Sequence, residues 1–331
     1  MWSTLQWIKG HLAFLLPAAM AAGVLFGVTA ESVAWLKEVI LPLTIFMVLP
    51  MMIMFPIRQL FTNGVSLRLL SVNILINFLL FPLLVFGIGR LFFSEEPGFM
   101  LGIFLLGLIP TSGMTISWTG FARGNIKAAV SLTVLGLIIG ALLAPIYLSL
   151  MMGESSLIPA GTIFRQILLV VFIPMVAGNL IRLLLIRLQG KERFAGYWKQ
   201  RIPTLSSLGV LLIVFAAIAM KAEMLVRNPS LIIMAIIPVL LFYLTGYTLT
   251  TMIARITCSR SGAGDGPTLV FSTVIRNLSI ALAIAVTAFP ELGSGAALIL
   301  AVAFAVQVQS ASLYVRFSER IIGCPARQPT A

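Results

Sequence analysis

The sequence predicts an all-α polytopic membrane protein with ten transmembrane helices, arranged as two inverted five-helix repeats. Three observations lead to this prediction: the hydropathy, the distribution of charge and a pair of interrupted apolar segments. The chain has 331 residues, of which 60% are hydrophobic and 10% are charged, and its mean hydropathy is +1.09. A soluble domain of this length does not need so much apolar surface, so a soluble class is excluded.

Windows of about 20 apolar residues, the length that crosses a bilayer, occur ten times in the sequence. They cover residues 12–30, 35–56, 68–92, 98–120, 126–151, 162–187, 204–222, 229–254, 267–289 and 293–315. Residues 1–187 then hold the first repeat (spans one to five) and span six, residues 188–202 a basic cytoplasmic connection, and residues 203–331 spans seven to ten. An odd number of spans in each repeat gives the two repeats opposite orientations.

The formal net charge of +12 is spread over short connections, which argues against a nucleic-acid surface. The side opposite the termini carries few cations, namely Lys37, Arg90, Arg165, Lys221 and Arg227. All other Lys and Arg residues except Arg276 lie on the side of the termini. The positive-inside rule therefore predicts an inner-membrane protein with both termini in the cytoplasm.

The first apolar segment also fits a cleaved signal peptide, because Lys9 precedes an apolar run that ends at residues 28–30, VTA. Retention is the preferred prediction, since the run is long and ten spans give a consistent charge pattern. Cys258 and Cys324 lie in or near cytoplasmic connections and predict neither a disulfide framework nor a metal site. No cofactor is predicted.

The fourth and ninth apolar segments are interrupted near their middle by polar residues. Residues 107–119 read GLIPTSGMTISWT, and residues 272–279 read STVIRNLS. Interrupted segments in corresponding positions of two halves mark the binding site of a transporter. Backbone groups freed at that depth are tolerated only beside protein or a water-filled cavity. The sequence therefore predicts that broken fourth and ninth helices cross in the core.

Arg276 lies near the middle of the ninth segment, about 15 Å of helix from either end. An Arg at that depth costs on the order of 3 kcal/mol, so it predicts a functional role. The alternative is that Arg276 snorkels to an interface or is held by backbone carbonyls as a packing element. Because two helix N-termini would also point at this crossing, an anion is the expected ligand.

The predicted substrate-binding residues are Arg276, Asn277, Thr111, Ser112, Thr115, Ser272 and Thr273. Secondary candidates for lining a cavity are the amides Asn73, Asn77, Gln307 and Gln309. The alternative for these hydroxyls and amides is hydrogen bonding to their own helix or between helices.

These segments resemble the bile acid:sodium symporter superfamily, which includes arsenite efflux permeases. Residues 110–125, PTSGMTISWTGFARGN, are similar to the fourth-span block of that family, and residues 277–285, NLSIALAIA, to its ninth-span block. Residues 293–297, GSGAA, and 51–56, MMIMFP, are similar to the arsenite branch. The resemblance implies secondary transport by a core and a panel sub-bundle within one membrane domain.

The sequence departs from the ion-binding positions of that family. The resemblance places these positions at Thr115 and Ile116, Ala129 and Thr133, and Ser272 and Arg276. A hard cation prefers several oxygens including a carboxylate, and the predicted spans contain none at this depth. The resemblance thus implies Thr133 and Ser279 as further ion or cavity candidates. Our hypothesis is that Arg276 permanently supplies the positive charge that a bound sodium ion supplies in the sodium-coupled members of that family.

The sequence therefore predicts a secondary active transporter or exchanger of a small organic anion or oxyanion, not coupled to sodium through those positions. Its expected partners are a small anionic solute and the lipid bilayer. One alternative is an arsenite permease, although Thr111 and Ser279 stand where that branch carries Cys and Glu. A second alternative is a sodium-coupled symporter of bile-acid type.

Two other classes remain as rivals. Residues 262–265, GAGD, match the Gly-x-Gly-Asp of intramembrane aspartyl proteases, but that chemistry needs two carboxylates and Asp265 is the only Asp. The single His11 has no visible catalytic partner, so an enzyme is not predicted. A polar midplane that carries an Arg also fits an anion pore, which ohmic conductance would distinguish from saturable exchange.

Overall fold

The computed structural model describes residues 4, 6–8, 11–54, 65–153, 160–220, 222–227, 229–258 and 264–322. These residues form helices and connections without a β-strand. Lys9, Lys221, Gly262, Cys324 and residues 55–56, all used in the sequence predictions, lie outside the described residues.

Seven helices are bounded among the described residues of the first part of the chain. They are α1 (Leu12–Thr29), α2 (Leu36–Ile53), α3 (Leu67–Phe92), α4 (Pro97–Leu108), α5 (Gly113–Phe121), α6 (Ile126–Met152) and α7 (Ala160–Ile167 continued through Leu168–Phe172 and Ile173–Gln189). The second part forms α8 (Lys191–Ala219), α9 (Ala222–Arg227), α10 (Ser230–Cys258), α11 (Asp265–Val274), α12 (Leu278–Ala288) and α13 (Gly293–Ile322).

Seven of the described helices are long and apolar enough to cross a membrane, namely α2, α3, α6, α7, α8, α10 and α13. Shorter apolar helices are Phe14–Thr29, Pro97–Leu108 and Leu278–Ala288. The predicted all-α polytopic membrane fold is confirmed. The count of ten spans, the inverted symmetry of the repeats and the domain boundaries stay predictions.

π-helical turns occur in three of the long helices, at Ile76–Leu80 in α3, at Leu168–Phe172 in α7 and at Phe194–Trp198 in α8. A proline follows the first two of these turns within two residues, Pro82 in α3 and Pro174 in α7. Proline lacks a backbone N–H and clashes with the preceding turn of a regular helix, so a wider turn accommodates it. The turn in α3 has a further consequence, because it contains Asn77, which belongs to the site described below.

The helices pack in two groups. In one, which we call the panel group, α8 packs against α1 and α2, and α7 packs against α2. In the other, the core group, α13 packs against α4, α10 and α12, while α11 packs against α5, α6 and α10. Small residues bring the panel helices close together: a Cβ on Gly209 would lie 2.8 Å from the Cα of Met47. Such close backbone contact is typical of helices packed in a membrane.

The predicted interruptions are real breaks that meet in the core group. Helix α4 ends at Leu108 and α5 begins at Gly113, while α11 ends at Val274 and α12 begins at Leu278. Pro110 and Arg276 form an antiparallel β-bridge between the two breaks. The backbone N–H of Asn277 donates to the carbonyl of Ile109 at 3.1 Å. Backbone groups that lose their helical partners at one break therefore hydrogen bond to backbone groups of the other break. Inside a membrane such groups need partners within the protein or in a water-filled cavity.

Candidate functional site

Helix α5 begins at the first break with a complete capping box. The Ser112 hydroxyl accepts from the Met114 N–H at 3.2 Å, and the Thr115 hydroxyl accepts from the Ser112 N–H at 3.1 Å. The preceding Thr111 has a φ of 51°, which a β-branched residue rarely adopts. Its hydroxyl donates to the carbonyl of Thr133 at 3.1 Å. The break is thus held open by side-chain hydrogen bonds on both sides.

Helix α12 begins at the second break with Asn277 as its N-cap. The Asn277 side-chain oxygen accepts from the Ile280 N–H at 3.3 Å. Asn277 is 1% exposed, and its Nδ2 has no hydrogen-bond partner among the described residues. A buried donor without a partner costs about 1–3 kcal/mol, so this amide is poised to bind an acceptor.

The guanidinium of Arg276 lies at the opposite ends of the broken helices. Arg276 is 1% exposed and donates to the carbonyls of Leu106 at 3.1 Å, of Gly107 and of Thr273 at 2.7 Å. Leu106 and Gly107 belong to the last turn of α4, and Thr273 to the last turn of α11. The last carbonyls of a helix lack intrahelical partners and carry partial negative charge. Arg276 therefore caps two helix C-termini at once.

Two further contacts hold the Arg276 side chain. Its Nη1 donates to the Asn77 side-chain oxygen at 2.6 Å, and its guanidinium carbon lies 4.9 Å from the centre of the Phe81 ring. The ring face favours a cation in this position. Among the described residues the guanidinium thus meets oxygen dipoles and an aromatic face, with no carboxylate.

Gln307 fixes the backbone of Arg276. Its side-chain oxygen accepts from the Arg276 N–H at 2.7 Å and from the Tyr243 hydroxyl at 2.9 Å, and its Nε2 donates to the Arg276 carbonyl at 3.3 Å. Tyr243 was not predicted from the sequence. A lone tyrosine in an apolar helix gives no signal until its partner is known.

A cavity of about 630 Å³ lies between the core group and the panel group. From the core group it is lined by Ser112, Gly113, Met114, Ile116, Ser117, Thr133, Arg276, Asn277, Leu278, Ser279, Phe304 and Gln307. From the panel group it is lined by Met51, Met54, Arg182, Ile186, Lys191, Phe194, Ala195, Lys199, Pro203, Ser206, Ser207 and Val210. The first residues of α5 and α12 therefore open onto the same space. No acidic residue occurs in this described lining.

The structure brings only some of the predicted residues to the cavity wall. Those that line it are Arg276, Asn277, Ser112, Thr133, Ser279 and Gln307. The others lie outside the wall: Thr111, Thr115, Ser272, Thr273, Asn73, Asn77 and Gln309. Asn73 donates to the Ser272 hydroxyl at 2.8 Å, Thr273 contacts Thr250 at 3.3 Å, and Gln309 is exposed. The panel residues of the wall were missed because they come together only through packing of distant helices.

The positions that the resemblance implies for an ion have a poor donor set. The Thr133 hydroxyl donates to the Ala129 carbonyl at 2.7 Å, and the Ser272 hydroxyl donates to the Leu269 carbonyl at 3.2 Å. The described residues hold no group of three or more His, Cys, Asp and Glu side chains. These positions lack the carboxylate that a hard cation prefers, and Arg276 brings its own positive charge to this place.

Asp265 and His11, the residues behind the enzyme alternative, lie far apart in the chain and have separate partners. Asp265 begins α11 and accepts from the Asn125 amide at 3.1 Å. His11 stacks on Trp7 with ring centres 4.6 Å apart. The Asp265 contact joins the N-cap of α6 to the start of α11.

Comparisons with known proteins agree with the resemblance. The model of the sodium bile acid symporter family matches residues 41–228, more than half of the chain. The arsenical-resistance protein Acr3 of Alkaliphilus metalliredigens is 24% identical over 291 residues, covering 83% of this chain and 79% of that protein. The uncharacterized protein YbaS of Bacillus subtilis is 26% identical over 214 residues (63% of this chain, 66% of that protein).

A sodium-dependent transporter of uncharacterized function from Bacillus subtilis, YocS, is 24% identical over 167 residues, half of each chain. The family consists of transporters and not of enzymes. The chain therefore belongs to the sodium bile acid symporter family and is a multi-pass membrane transporter of a small solute.

Proposed function

We propose that the chain is a secondary active transporter or exchanger that moves a small organic anion or oxyanion across the inner membrane by alternating access. The observation that carries the proposal is the convergence of two helix N-termini, at Gly113 and Leu278, on one cavity beside the unpartnered amide of Asn277. Helix N-termini and free N–H donors bind anions. The absence of acidic residues from the described lining fits the same ligand.

In this proposal Asn277 and the first backbone N–H groups of α5 and α12 contact the anion. The guanidinium of Arg276 lies at the C-terminal ends of α4 and α11 and does not hydrogen bond to the anion. Its positive charge attracts the anion electrostatically. The hydrogen bonds of its guanidinium go to carbonyl groups, which orient their dipoles toward the cation without cancelling its net charge. The other hydroxyls predicted to bind substrate support the breaks in this conformation.

The same arrangement supports transport without sodium coupling. A cation between the ends of α4 and α11 would stabilise their negative C-termini, and Arg276 already does so with three hydrogen bonds. Because this cation is a side chain, its binding does not depend on the sodium concentration. Sodium dependence is stated for the relative YocS, and here the ligand set argues against it.

Asn277→Asp tests the proposal in purified protein held in lipid nanodiscs. Asp caps helices as well as Asn does, so the melting temperature without anion should stay the same. Propanoate, hexanoate and inorganic phosphate should each be tested in sodium-free buffer. We expect at least one anion to raise the melting temperature of the wild type. Asn277→Asp should lose this shift, because an acidic oxygen replaces the donor and repels the anion.

The matched control is Gln189→Glu, which makes the same exchange of amide for acid at the exposed end of α7, outside the cavity wall. It should keep the full shift. A shift that occurs only when sodium is present would overturn the claim of sodium independence. An unchanged shift in Asn277→Asp would overturn the placement of the anion.

Arsenite efflux is the second candidate function. It is favoured by the name of the relative Acr3 and by three thioethers in the cavity wall, those of Met51, Met54 and Met114. Thioethers are soft, although a thiolate suits arsenite better. Counterflow of arsenite in proteoliposomes that is abolished by replacing these methionines with leucine would favour this candidate over the anion transporter.

A further inference from the structure

The cavity wall carries a second set of positively charged donors, and these belong to the panel group. Arg182 lies on α7, and Lys191 and Lys199 lie at the start of α8. The helix N-termini that face the same cavity belong to the core group. Groups that can bind an anion therefore lie on both sides of the cavity, one set on the core group and the other on the panel group.

Arg182 is the best placed of the three cations. Its guanidinium carbon lies 5.5 Å from the centre of the Phe194 ring, which holds the side chain against the cavity wall. Its Nη1 is buried and has no hydrogen-bond partner among the described residues. A buried charged donor without an acceptor lowers the stability of the protein. A ligand that accepts a hydrogen bond from this Nη1 would remove that cost.

The rest of the cavity wall is largely apolar. It includes Met51, Ile186, Val210 and Phe304. The volume of about 630 Å³ lies within the range of about 300–1,000 Å³ that organic ligands occupy. An inorganic oxyanion would fill little of this space and leave the apolar wall in contact with water.

We propose that the solute is an organic anion with two negatively charged groups joined by an apolar body. One group binds at the N-termini of α5 and α12 beside Asn277, and the other binds Arg182, with Lys191 and Lys199 nearby. The inference rests on the function proposed above and names the substrate class of the same cavity. Because Arg182 binds the second anionic group, the protein should prefer solutes with two negative charges over solutes with one.

The test compares dicarboxylates with monocarboxylates of equal chain length, from butanedioate and butanoate to decanedioate and decanoate. Full-length protein in nanodiscs is titrated with each, and the shift in melting temperature gives the apparent affinity. We expect one dicarboxylate to bind about tenfold more tightly than its monocarboxylate partner, the effect of one charged hydrogen bond. Arg182→Gln should remove this preference, so that the two acids of each pair bind with similar affinity.

Arg187→Gln is the matched control, because it removes the same charge from an exposed position of the same helix, outside the cavity wall. It should keep the preference for the dicarboxylate. If the wild type binds monocarboxylates through Asn277 but shows no preference for any dicarboxylate, this inference is wrong and the proposed function stands. If no carboxylate of either series binds, this inference is wrong, and if inorganic phosphate also fails to bind, the proposed function is wrong as well.

The second anionic group could also come from a lipid. Nanodiscs of phosphatidylcholine and of phosphatidylglycerol separate these sources. A preference for dicarboxylates that persists in phosphatidylcholine supports the solute. If Arg182→Gln changes only the stabilisation by phosphatidylglycerol, the site binds a lipid headgroup and the inference is overturned.

Discussion

At the scale of single residues, Arg276 shows how one charge is accommodated deep in an apolar protein. Desolvating a guanidinium is unfavourable. Four hydrogen bonds and the contact with the face of the Phe81 ring together offset that cost. Three of the four acceptors are backbone carbonyls that the ends of α4 and α11 leave without helical partners. The cation and the broken helices therefore depend on each other, and replacing either leaves the other unsatisfied.

Arg276→Ala should lower the thermal stability in the absence of any anion. It leaves the carbonyls of Leu106, Gly107 and Thr273 without this donor, at about 1–3 kcal/mol for each buried group that water cannot reach. Arg276→Lys should lie between wild type and Ala, because an ammonium keeps the charge but does not reproduce the planar fork. Melting temperatures in nanodiscs measure both effects.

Arg90→Ala is the control for this prediction. Arg90 also lies over a phenylalanine ring, that of Phe86 at 5.3 Å, and donates to one carbonyl, that of Met151 at 3.3 Å. Its side chain is at the end of a helix, so its loss should change the melting temperature far less. Equal effects of Arg90→Ala and Arg276→Ala would contradict the capping role of Arg276.

Sequence reasoning located Arg276 but gave two alternatives for its role. The contacts with backbone carbonyls match the packing alternative, while the cavity beside Asn277 supports a role for its charge in binding. The sequence alone could not distinguish these two roles of Arg276, because the carbonyls of Leu106 and Gly107 are free to accept its hydrogen bonds only where α4 ends. The free Nδ2 of Asn277 was equally hidden, since it follows from the use of the other amide atom as a helix cap.

At the scale of elements, the first break is under strain that its surroundings hold in place. A β-branched residue with positive φ, such as Thr111, costs on the order of 1–3 kcal/mol. The ring of Pro110 packs against Gly140 of α6, and the Thr111 side chain packs near Gly136. These two glycines lie one helical turn apart and form a smooth face on which the break rests.

Gly140→Ala should destabilise the protein and weaken the response to anions. The added Cβ would meet the ring of Pro110, which is rigid, so the break has to move. Such overpacking costs about 1–3 kcal/mol. Melting temperatures with and without the anion that stabilises the wild type measure both losses.

Gly87→Ala makes the same change in α3, where a Cβ meets nothing within 4 Å. Because Ala favours a helix over Gly by about 0.5–1 kcal/mol, this variant should be as stable as the wild type or more stable. A Gly140→Ala protein that behaves like Gly87→Ala would show that the break tolerates displacement.

The elements themselves were largely predictable, because apolar length and internal Pro and Gly are local signals. The two breaks, at residues 109–112 and 275–277, lie within the interrupted stretches 107–119 and 272–279 that the sequence indicated. The π-helical turns in α3 and α7 were not predicted, since a proline in a long apolar segment is compatible with several kinds of distortion. The burial of Asp265 was also missed, because its partner Asn125 is the N-cap of α6, distant in the chain.

At the scale of the whole molecule, the cavity reaches from the two breaks to the basic segment that begins α8. Lys191 and Lys199 belong to the connection that the positive-inside rule places in the cytoplasm. This conformation is therefore expected to open toward the cytoplasm. Movement of the core group relative to the panel group would then expose the same helix N-termini to the other side.

Cysteine labelling tests this orientation. In a protein with Cys258→Ser and Cys324→Ser, a Ser279→Cys substitution places a thiol in the cavity wall. We expect a membrane-impermeant thiol reagent to label it in inside-out vesicles, and the stabilising anion to protect it. Thr248→Cys, on the exposed surface of α10, is the control that should resist the reagent from both sides. Labelling of Ser279→Cys only from the outside would reverse the predicted orientation.

The fixed charge of Arg276 also has an electrical consequence. A transporter that binds sodium can offset the charge of an anion, so the pair crosses with less net charge. Arg276 stays with the protein, and the anion then crosses with its own charge uncompensated. An inside-negative potential of 100 mV opposes entry by about 2.3 kcal/mol for each negative charge. Such a membrane would drive the solute outward, so we expect export or exchange of anions, with uptake only against a second anion leaving the cell.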